Sequence, residues 1–139
     1  MPKLIFVNLP VADLARATAF YEAVGARKDP RFSDAAGSCM VLSETIHVML
    51  LTHDKFRQFA PKPVADAKAA TGVLFCVSAE SRGEVDAVVG KAGDAGGRAD
   101  PAPKQDHGCM YGRSFEDPDG HVWEVMWMDM AAMGAARAA

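Results

Sequence analysis

The sequence predicts an α+β fold made of two paired βαβββ modules, which together form one curved mixed sheet with the helices on its outer face. Two observations lead to this prediction. An apolar strand, an amphipathic helix and three short strand-like segments follow one another in each half of the chain. The second copy of this pattern follows the first at an offset of roughly 66–68 residues, as expected for an internal repeat.

The first module begins with the apolar segment Leu4–Leu9, a predicted buried strand that ends at Pro10. Asp13 is the predicted N-cap of a helix, because its carboxylate can accept hydrogen bonds from free backbone N–H groups. Gly25 is the predicted end of that helix, because glycine tolerates a left-handed backbone. Three strands are then predicted, over Arg27–Phe32, Ser38–Leu42 and Ile46–Leu51.

The second module repeats this order. Gly72–Val77 is a predicted apolar strand, and Ser81 with Glu84 three residues later forms a possible capping box for the next helix. The segment Asp117–Gly120 has Asp first, Pro second and Gly fourth, which is typical of a type I turn and predicts a hairpin. The other strands of this module are predicted at Arg98–Ala99, Cys109–Phe115 and His121–Met128.

These elements suggest a single domain of 139 residues with an internal division. Module 1 covers about residues 1–52, a linker about 53–70, and module 2 about 71–130. The linker is polar and carries Pro61 and Pro63, so we expect a mobile loop, with room for one helical turn, that can act as a lid. The Ala-rich tail over 131–139 is predicted to be a flexible end.

Composition excludes several classes of function. The net charge is −3, without a run of Lys and Arg, which argues against a nucleic-acid-binding surface. No apolar run approaches the roughly 20 residues that a membrane span needs. The cysteines, Cys39, Cys76 and Cys109, are far apart and form no CxxC pair, so a structural zinc site is not indicated. A cytoplasmic location is the simplest interpretation.

Two motifs point to a family. The first is Asn8–Leu14, followed by Ala19-Phe20-Tyr21, and the second is the hairpin Phe115–Glu124. Together they resemble the opening and closing elements of the vicinal oxygen chelate superfamily, which includes glyoxalases (lactoylglutathione lyases), bleomycin-resistance proteins and extradiol dioxygenases. The resemblance implies that the curved sheet forms a cup that binds a small organic molecule, and that the chain pairs as a homodimer.

Metal-dependent members of that superfamily bind one divalent ion through four side chains in the cup. The resemblance places these positions at Phe6, near Leu50, at Gly72 and at Glu124. Only Glu124 can bind a metal, whereas a tight divalent site generally needs three or four protein donors. We therefore predict no metal ligands and no cofactor, with a divalent ion possible but disfavoured. The four histidines have no metal-like spacing and are expected to be surface or turn residues.

Strand alternation suggests which side chains face the cup. If Phe6 and Glu124 face inward, Asn8 and Met126 do so too. Tyr111 and Arg113 share a face and can bind an anionic or aromatic ligand, although Arg113 can instead neutralise Glu124 or Glu116. We slightly favour the cup for both, because an arginine is not expected on the helix side. The predicted ligand-binding residues are Phe6, Asn8, Leu50, Gly72, Tyr111, Arg113, Glu124 and Met126.

Two function hypotheses follow. The first is a glyoxalase- or bleomycin-resistance-like protein that binds a small organic molecule in an apolar cup without the usual metal. The alternative is a lyase, isomerase or dioxygenase of the same superfamily, with an atypical metal site or metal-free acid–base catalysis by Glu124. A structural or regulatory partner is a third and weaker hypothesis.

Overall fold

The computed structural model forms two compact units, Met1–Ala70 and Thr71–Ala139, and the structure describes residues 2–132. The elements of unit 1 are β1 (Ile5–Val11), α1 (Leu14–Ala23), β2 (Arg27–Asp29), a 3-10 turn (Pro30–Phe32), β3 (Gly37–Val41), β4 (Ile46–Thr52) and α2 (His53–Phe59). Those of unit 2 are β5 (Leu74–Ser78), α3 (Arg82–Asp94), β6 (Arg98–Ala99), β7 (Gln105–Asp106), β8 (Met110–Glu116) and β9 (Val122–Met128).

Each unit contains one mixed sheet, which confirms the predicted α+β class and the repeated modules. The strand order is β1-β4-β3-β2 in unit 1 and β5-β9-β8-β6 in unit 2, where β7 also pairs with β8. In both units the first and last strands run parallel, and the other pairs are antiparallel. Therefore β1 and β5 occupy corresponding positions, each at the end of its sheet.

The helices of unit 1 begin and end where local chemistry requires. The Asp13 carboxylate accepts a hydrogen bond from the backbone N–H of Arg16 at 3.0 Å, which confirms the predicted N-cap. Gly25 has a φ of +109° and follows the last turn of α1, as expected for a helix end. Within the predicted linker, 53–59 form the short helix α2, which contacts β1 and β4. Thr52 caps this helix by accepting from Lys55 N–H at 3.2 Å.

Strand β2 is shorter than predicted. Instead of continuing to Phe32, it ends at Asp29, because Pro30 has no N–H to donate to a sheet. The Asp29 carboxylate caps the following 3-10 turn by accepting from Arg31 N–H at 3.0 Å. This local capping turns the chain away from the sheet.

Unit 2 follows the predicted order with two differences. Ser81 caps α3 by accepting from Glu84 N–H at 3.1 Å, as predicted. The Glu84 carboxylate, however, accepts from the N–H of Glu80 rather than that of Ser81, so the capping box is offset by one residue. The short strand β7 was not predicted. The predicted tail lies largely outside the described residues, since 133–139 are not among them.

The core of each unit lies between its sheet and the helix packed on it. In unit 1 the buried apolar side chains on this side of the sheet are Leu9, Val11, Ala17, Phe20, Tyr21, Met40, Val48 and Leu50. In unit 2 they are Val85, Val89, Ala92, Phe115, Trp123 and Val125. Three further apolar side chains, Cys39, Leu51 and Val122, are buried on the opposite face of their sheets. Across residues 2–132 the structure contains no helix long and apolar enough to span a membrane.

Candidate functional site

In each unit, one face of the sheet lies opposite the main helix, which is α1 in unit 1 and α3 in unit 2. We call this face the far face, and it carries the candidate site. In unit 1 the hydroxyl groups of Thr18 on α1 and Ser38 on β3 are hydrogen-bonded at 2.8 Å, so Ser38 faces α1. Because side chains alternate along a strand, the neighbouring Cys39 points to the far face. The strand register then assigns Phe6, Asn8, His47 and Met49 to the far face of unit 1.

The far face of unit 2 carries Glu124. The Tyr111 hydroxyl donates to Asp86 on α3 at 2.6 Å, so alternate residues of β8, including Ser114, point away from α3. Glu124 pairs with Ser114 on one side and with Cys76 on the other. The register assigns Leu74, Cys76, Gly112, Ser114, Val122, Glu124 and Met126 to this face. Glu124 and Met126 therefore share a face, as expected from alternation.

Glu124 forms a small polar group with its strand neighbours. The thiol of Cys76 lies close enough to feel the Glu124 charge, and burial together with that charge raises the pKa of Cys76. Ser114 is buried, and its hydroxyl accepts from the backbone N–H of Ala102 at 3.3 Å. The result is a carboxylate between a protonated thiol and a hydroxyl, a set that can bind a hydrogen-bond donor or move a proton.

The far face of unit 1 is aromatic rather than acidic. The rings of Phe6 and His47 stack with centroids 4.7 Å apart and planes 19° apart. Phe6 is 52% exposed, which is high for a phenylalanine in a strand. His47 Nδ1 is buried and has no hydrogen-bond partner among the described residues. Asn8, two residues along β1, presents an exposed amide on the same face.

His47 was not among the predicted site residues. Its lack of metal-like spacing with other histidines favoured a surface or turn position, but it lies within β4 directly beside Phe6. The available signal was parity, because His47 and Met49 alternate with the buried Val48 and Leu50 along an apolar strand.

Leu50 does not lie where we expected. It pairs with Leu9 and is completely buried, so it belongs to the core between the sheet and α1. The prediction that Leu50 faces the cup was wrong, because the assigned position along β4 was off by one residue. A shift of one residue moves a strand side chain to the opposite face. Gly72 precedes β5, and a Cβ there would meet nothing within 4 Å.

Tyr111 and Arg113 also lie on the other face from the one we favoured. Arg113 is bound to Asp86 at 2.9 Å and to Asp100 at 2.6 Å, with its side chain 13% exposed. The Arg113 guanidinium lowers the pKa of Asp100, and Tyr111 together with Arg113 lowers that of Asp86. The arginine is tolerated on the helix side because these two carboxylates compensate its charge.

A second arginine extends this network on the same side of unit 2. The Arg82 guanidinium lies 5.0 Å from the Tyr111 ring centroid and 5.3 Å from that of Trp127. It donates to both oxygens of Asp106 at 3.0 Å and to the carbonyl of Gly108 at 2.7 Å. Both arginines thus connect the segment between β6 and β8 to the side of the sheet on which α3 packs.

The side chains at the four positions that the resemblance assigns to metal ligands do not fit a divalent ion. Phe6, Leu50 and Gly72 have no donor atom, which leaves the Glu124 carboxylate alone. Their chemistry therefore supports no reaction step through a metal at these positions. The absence of a metal or cofactor remains a prediction.

Unit 1 also has an open cleft of about 360 Å³ at the ends of β1 and β4, lined by Val11, Ala12, Thr52, His53 and Asp54. None of the predicted site residues lines it. It is thus separate from the Phe6–His47 pair.

Comparison with known proteins gives a consistent result. Residues 3–125 match the family model described as Glyoxalase/Bleomycin resistance protein/Dioxygenase superfamily. No curated protein matches the chain significantly.

Several solved structures share the fold. A hypothetical protein from S. aureus is 24% identical, with a TM-score of 0.75, covering 91% of this chain and 94% of that one. A glyoxalase/bleomycin resistance protein/dioxygenase family enzyme from Burkholderia phytofirmans is 19% identical, with a TM-score of 0.73 and coverage of 91% and 99%. The fosfomycin resistance protein FosX from Mesorhizobium loti is 16% identical, with a TM-score of 0.67 and coverage of 96% and 98%. At such identities the likeness concerns the fold alone.

Proposed function

This chain belongs to the glyoxalase/bleomycin resistance protein/dioxygenase superfamily, and we propose that it binds a small organic molecule on its far faces without the usual divalent metal. The observation that carries the proposal is the aromatic residue Phe6, which is 52% exposed on the far face of unit 1 at a position where the resemblance expects a metal ligand. An apolar surface with a few polar groups is the usual composition of a small-molecule site.

Each far face supplies a polar group of its own, Asn8 in unit 1 and Glu124 in unit 2. Glu124 lies between Cys76 and Ser114, so its carboxylate can accept a hydrogen bond from a ligand O–H or N–H. The Asn8 amide both donates and accepts. Either group can orient a ligand on its own far face, where the neighbouring apolar side chains supply contact area.

An NMR titration tests this proposal. We expect 2-naphthol, a neutral aromatic probe, to shift backbone amide signals of β1, β4, β5 and β9 in the ¹⁵N-labelled protein. Glu124→Gln should weaken binding of a probe that donates a hydrogen bond to this carboxylate, while the NMR spectrum of the variant remains that of a folded protein. Shifts confined to other surfaces, or no shifts at millimolar probe concentration, would refute the proposal.

A second candidate function is catalysis by Glu124 in a lyase, isomerase or dioxygenase of the same superfamily. The observation in its favour is the place of Glu124 on a far face, beside a thiol and a hydroxyl that can share its protons. Elemental analysis of protein purified without chelator, then soaked with Zn²⁺, Ni²⁺, Mn²⁺ or Fe²⁺, separates the candidates. Near one equivalent of a single metal would favour the enzyme and contradict metal-free binding.

We also propose that the chain acts as a homodimer in the cytoplasm. Strands β1 and β5 are end strands whose first residues include the exposed Ile5 (54%) and Leu74 (57%). Apolar end strands of this kind invite pairing with another chain. The three cysteines are far apart in the sequence and form no CxxC pair, in keeping with a reducing compartment. Light scattering after gel filtration tests the dimer, which Ile5→Lys should weaken; a monomer at high concentration would refute it.

A further inference from the structure

We propose that the far face of unit 1 selects planar aromatic ligands, which stack on the ring of Phe6. This inference rests on the proposed small-molecule binding and names the chemical class of the ligand. It follows from the geometry of one side-chain pair and from the residues around it.

The Phe6 ring is already one layer of a stack. His47 covers one of its faces with the planes 19° apart and the centroids 4.7 Å apart, a separation within the usual range for aromatic pairs. With 52% of the residue exposed, about half of its surface is open to solvent. A planar aromatic molecule that contacts this exposed surface can extend the stack by one layer.

Strand pairing places the two rings side by side before any ligand arrives. Phe6 and His47 are direct partners in the β1–β4 pairing, and β4 lies between β1 and β3. The buried Nδ1 atom of His47 has no hydrogen-bond partner among the described residues, and the ring of His47 stacks on that of Phe6. A rigid, preorganised ring loses less conformational entropy on binding than a mobile one.

The surrounding side chains favour a neutral ligand with one polar substituent. The residues that β1 and β4 place on this face include no Asp, Glu, Lys or Arg; they are Phe6, Asn8, Pro10, His47, Met49 and Leu51. The exposed Asn8 amide lies next to Phe6 on the same side of β1, within reach of a hydroxyl or carbonyl group on a stacked ring. Met49 adds a polarisable sulfur, which aromatic rings contact favourably.

Two probes of similar size distinguish stacking from plain apolar contact. We would titrate the full chain with 2-naphthol and with trans-decahydro-2-naphthol, its saturated counterpart, by NMR and calorimetry. We expect 2-naphthol to bind more tightly, with a preference of about 2- to 10-fold from ring stacking. Phe6→Leu should remove this preference by weakening 2-naphthol alone, and Phe6→Trp should increase it.

Phe32→Leu is the matched control, because it makes the same change at an exposed phenylalanine (63%) that lies in the 3-10 turn, outside β1 and β4. It should leave both affinities unchanged. Equal binding of the two probes, or an equal loss for both in Phe6→Leu, would overturn the stacking inference while leaving small-molecule binding intact. Failure of both probes to shift any far-face signal would overturn the inference and the proposed function together. Because Phe6 is largely exposed, circular dichroism of the variants should match that of the unchanged protein.

Discussion

The two units share one topology but use different chemistry between sheet and helix. In unit 1, α1 packs on the sheet through apolar side chains and a neutral hydrogen bond between Thr18 and Ser38 at 2.8 Å. In unit 2, α3 packs through Val85 and Val89 but also carries Asp86, which binds Arg113 of β8 at 2.9 Å. The βαβββ order therefore determines where the helix packs on the sheet, but not which interactions hold the two together.

Although the two units repeat one topology, their far faces carry different side chains. Unit 1 has the aromatic pair Phe6–His47, and unit 2 has a carboxylate, Glu124, beside Cys76. A duplicated backbone thus offers two chemically distinct surfaces. We expect the stability of unit 1 to depend on apolar packing, and that of unit 2 to respond to charge and pH as well.

The largest effect should come from the apolar core of unit 1. Leu50→Ala removes a fully buried side chain, and such changes cost about 2–5 kcal/mol because a cavity remains. Urea denaturation measures this loss. Leu74→Ala, on the far face of unit 2 at 57% exposure, is the control and should cost less than about 0.5 kcal/mol. Similar losses in the two variants would show that Leu50 does not pack in the core.

The charged network of unit 2 should give the next largest effect. Arg113→Met leaves Asp86 and Asp100 without their shared donor, and we expect a loss of about 1–3 kcal/mol in the free energy of unfolding. Arg57→Met is the control, because its pair with Asp54 is exposed and should contribute little. An Arg113→Met variant as stable as the control would show that the network is not stabilising.

Several features of this difference were predictable from the sequence, and others were not. The repeat and the caps at Asp13 and Ser81 depend on local patterns, and the structure confirms them. The face of Glu124 followed from alternation with the apolar Trp123 and Val125. These signals involve residues close together in the chain.

The errors arose where the answer depends on distant partners. Leu50 was assigned to the wrong face because the register between β1 and β4 is not encoded in either strand alone. Arg113 was expected away from the helix because its partners, Asp86 and Asp100, belong to separate elements. The two-residue strand β7 is too short to leave a periodic pattern. Local sequence thus predicts the elements better than the neighbours of each side chain.

Acid should weaken the charged network of unit 2. The Arg82 guanidinium and the N–H of Gly108 hold the pKa of Asp106 at about 2, below the ordinary 3.8. A carboxylate whose pKa is lower in the folded state stabilises fully above its unfolded pKa, and loses that contribution as pH falls towards the folded value. Asp86 and Asp100 are shifted in the same direction.

We therefore expect the melting temperature to fall between about pH 4 and pH 2, and to fall less steeply in Asp106→Asn. Arg82→Met, which keeps the carboxylate but removes its partner, should flatten the profile in the same way. A pH profile identical in both variants and the unchanged protein would show that this ion pair does not contribute. The stability of unit 1 should also depend on pH, since hydrogen bonds from Arg31 lower the pKa of Asp29.

The smallest expected effect compares the thiols of the two sheets. Cys39 of unit 1 is buried and should resist alkylation, whereas Cys76 of unit 2 is exposed. Partial desolvation of the thiol by its neighbours and, secondarily, the charge of Glu124 raise the pKa of Cys76, so little thiolate forms near neutral pH and its reaction with iodoacetamide should be slow. Glu124→Gln removes the like charge, lowers the pKa and should increase the rate by about 2-fold. Glu116 is another far-face carboxylate of unit 2, so Glu116→Gln is the control, and mass spectrometry assigns the modified cysteine.

An unchanged rate at Cys76 in Glu124→Gln would mean that the carboxylate and the thiol are not electrostatically coupled. Glu124 would then be available to a ligand independently of its neighbour.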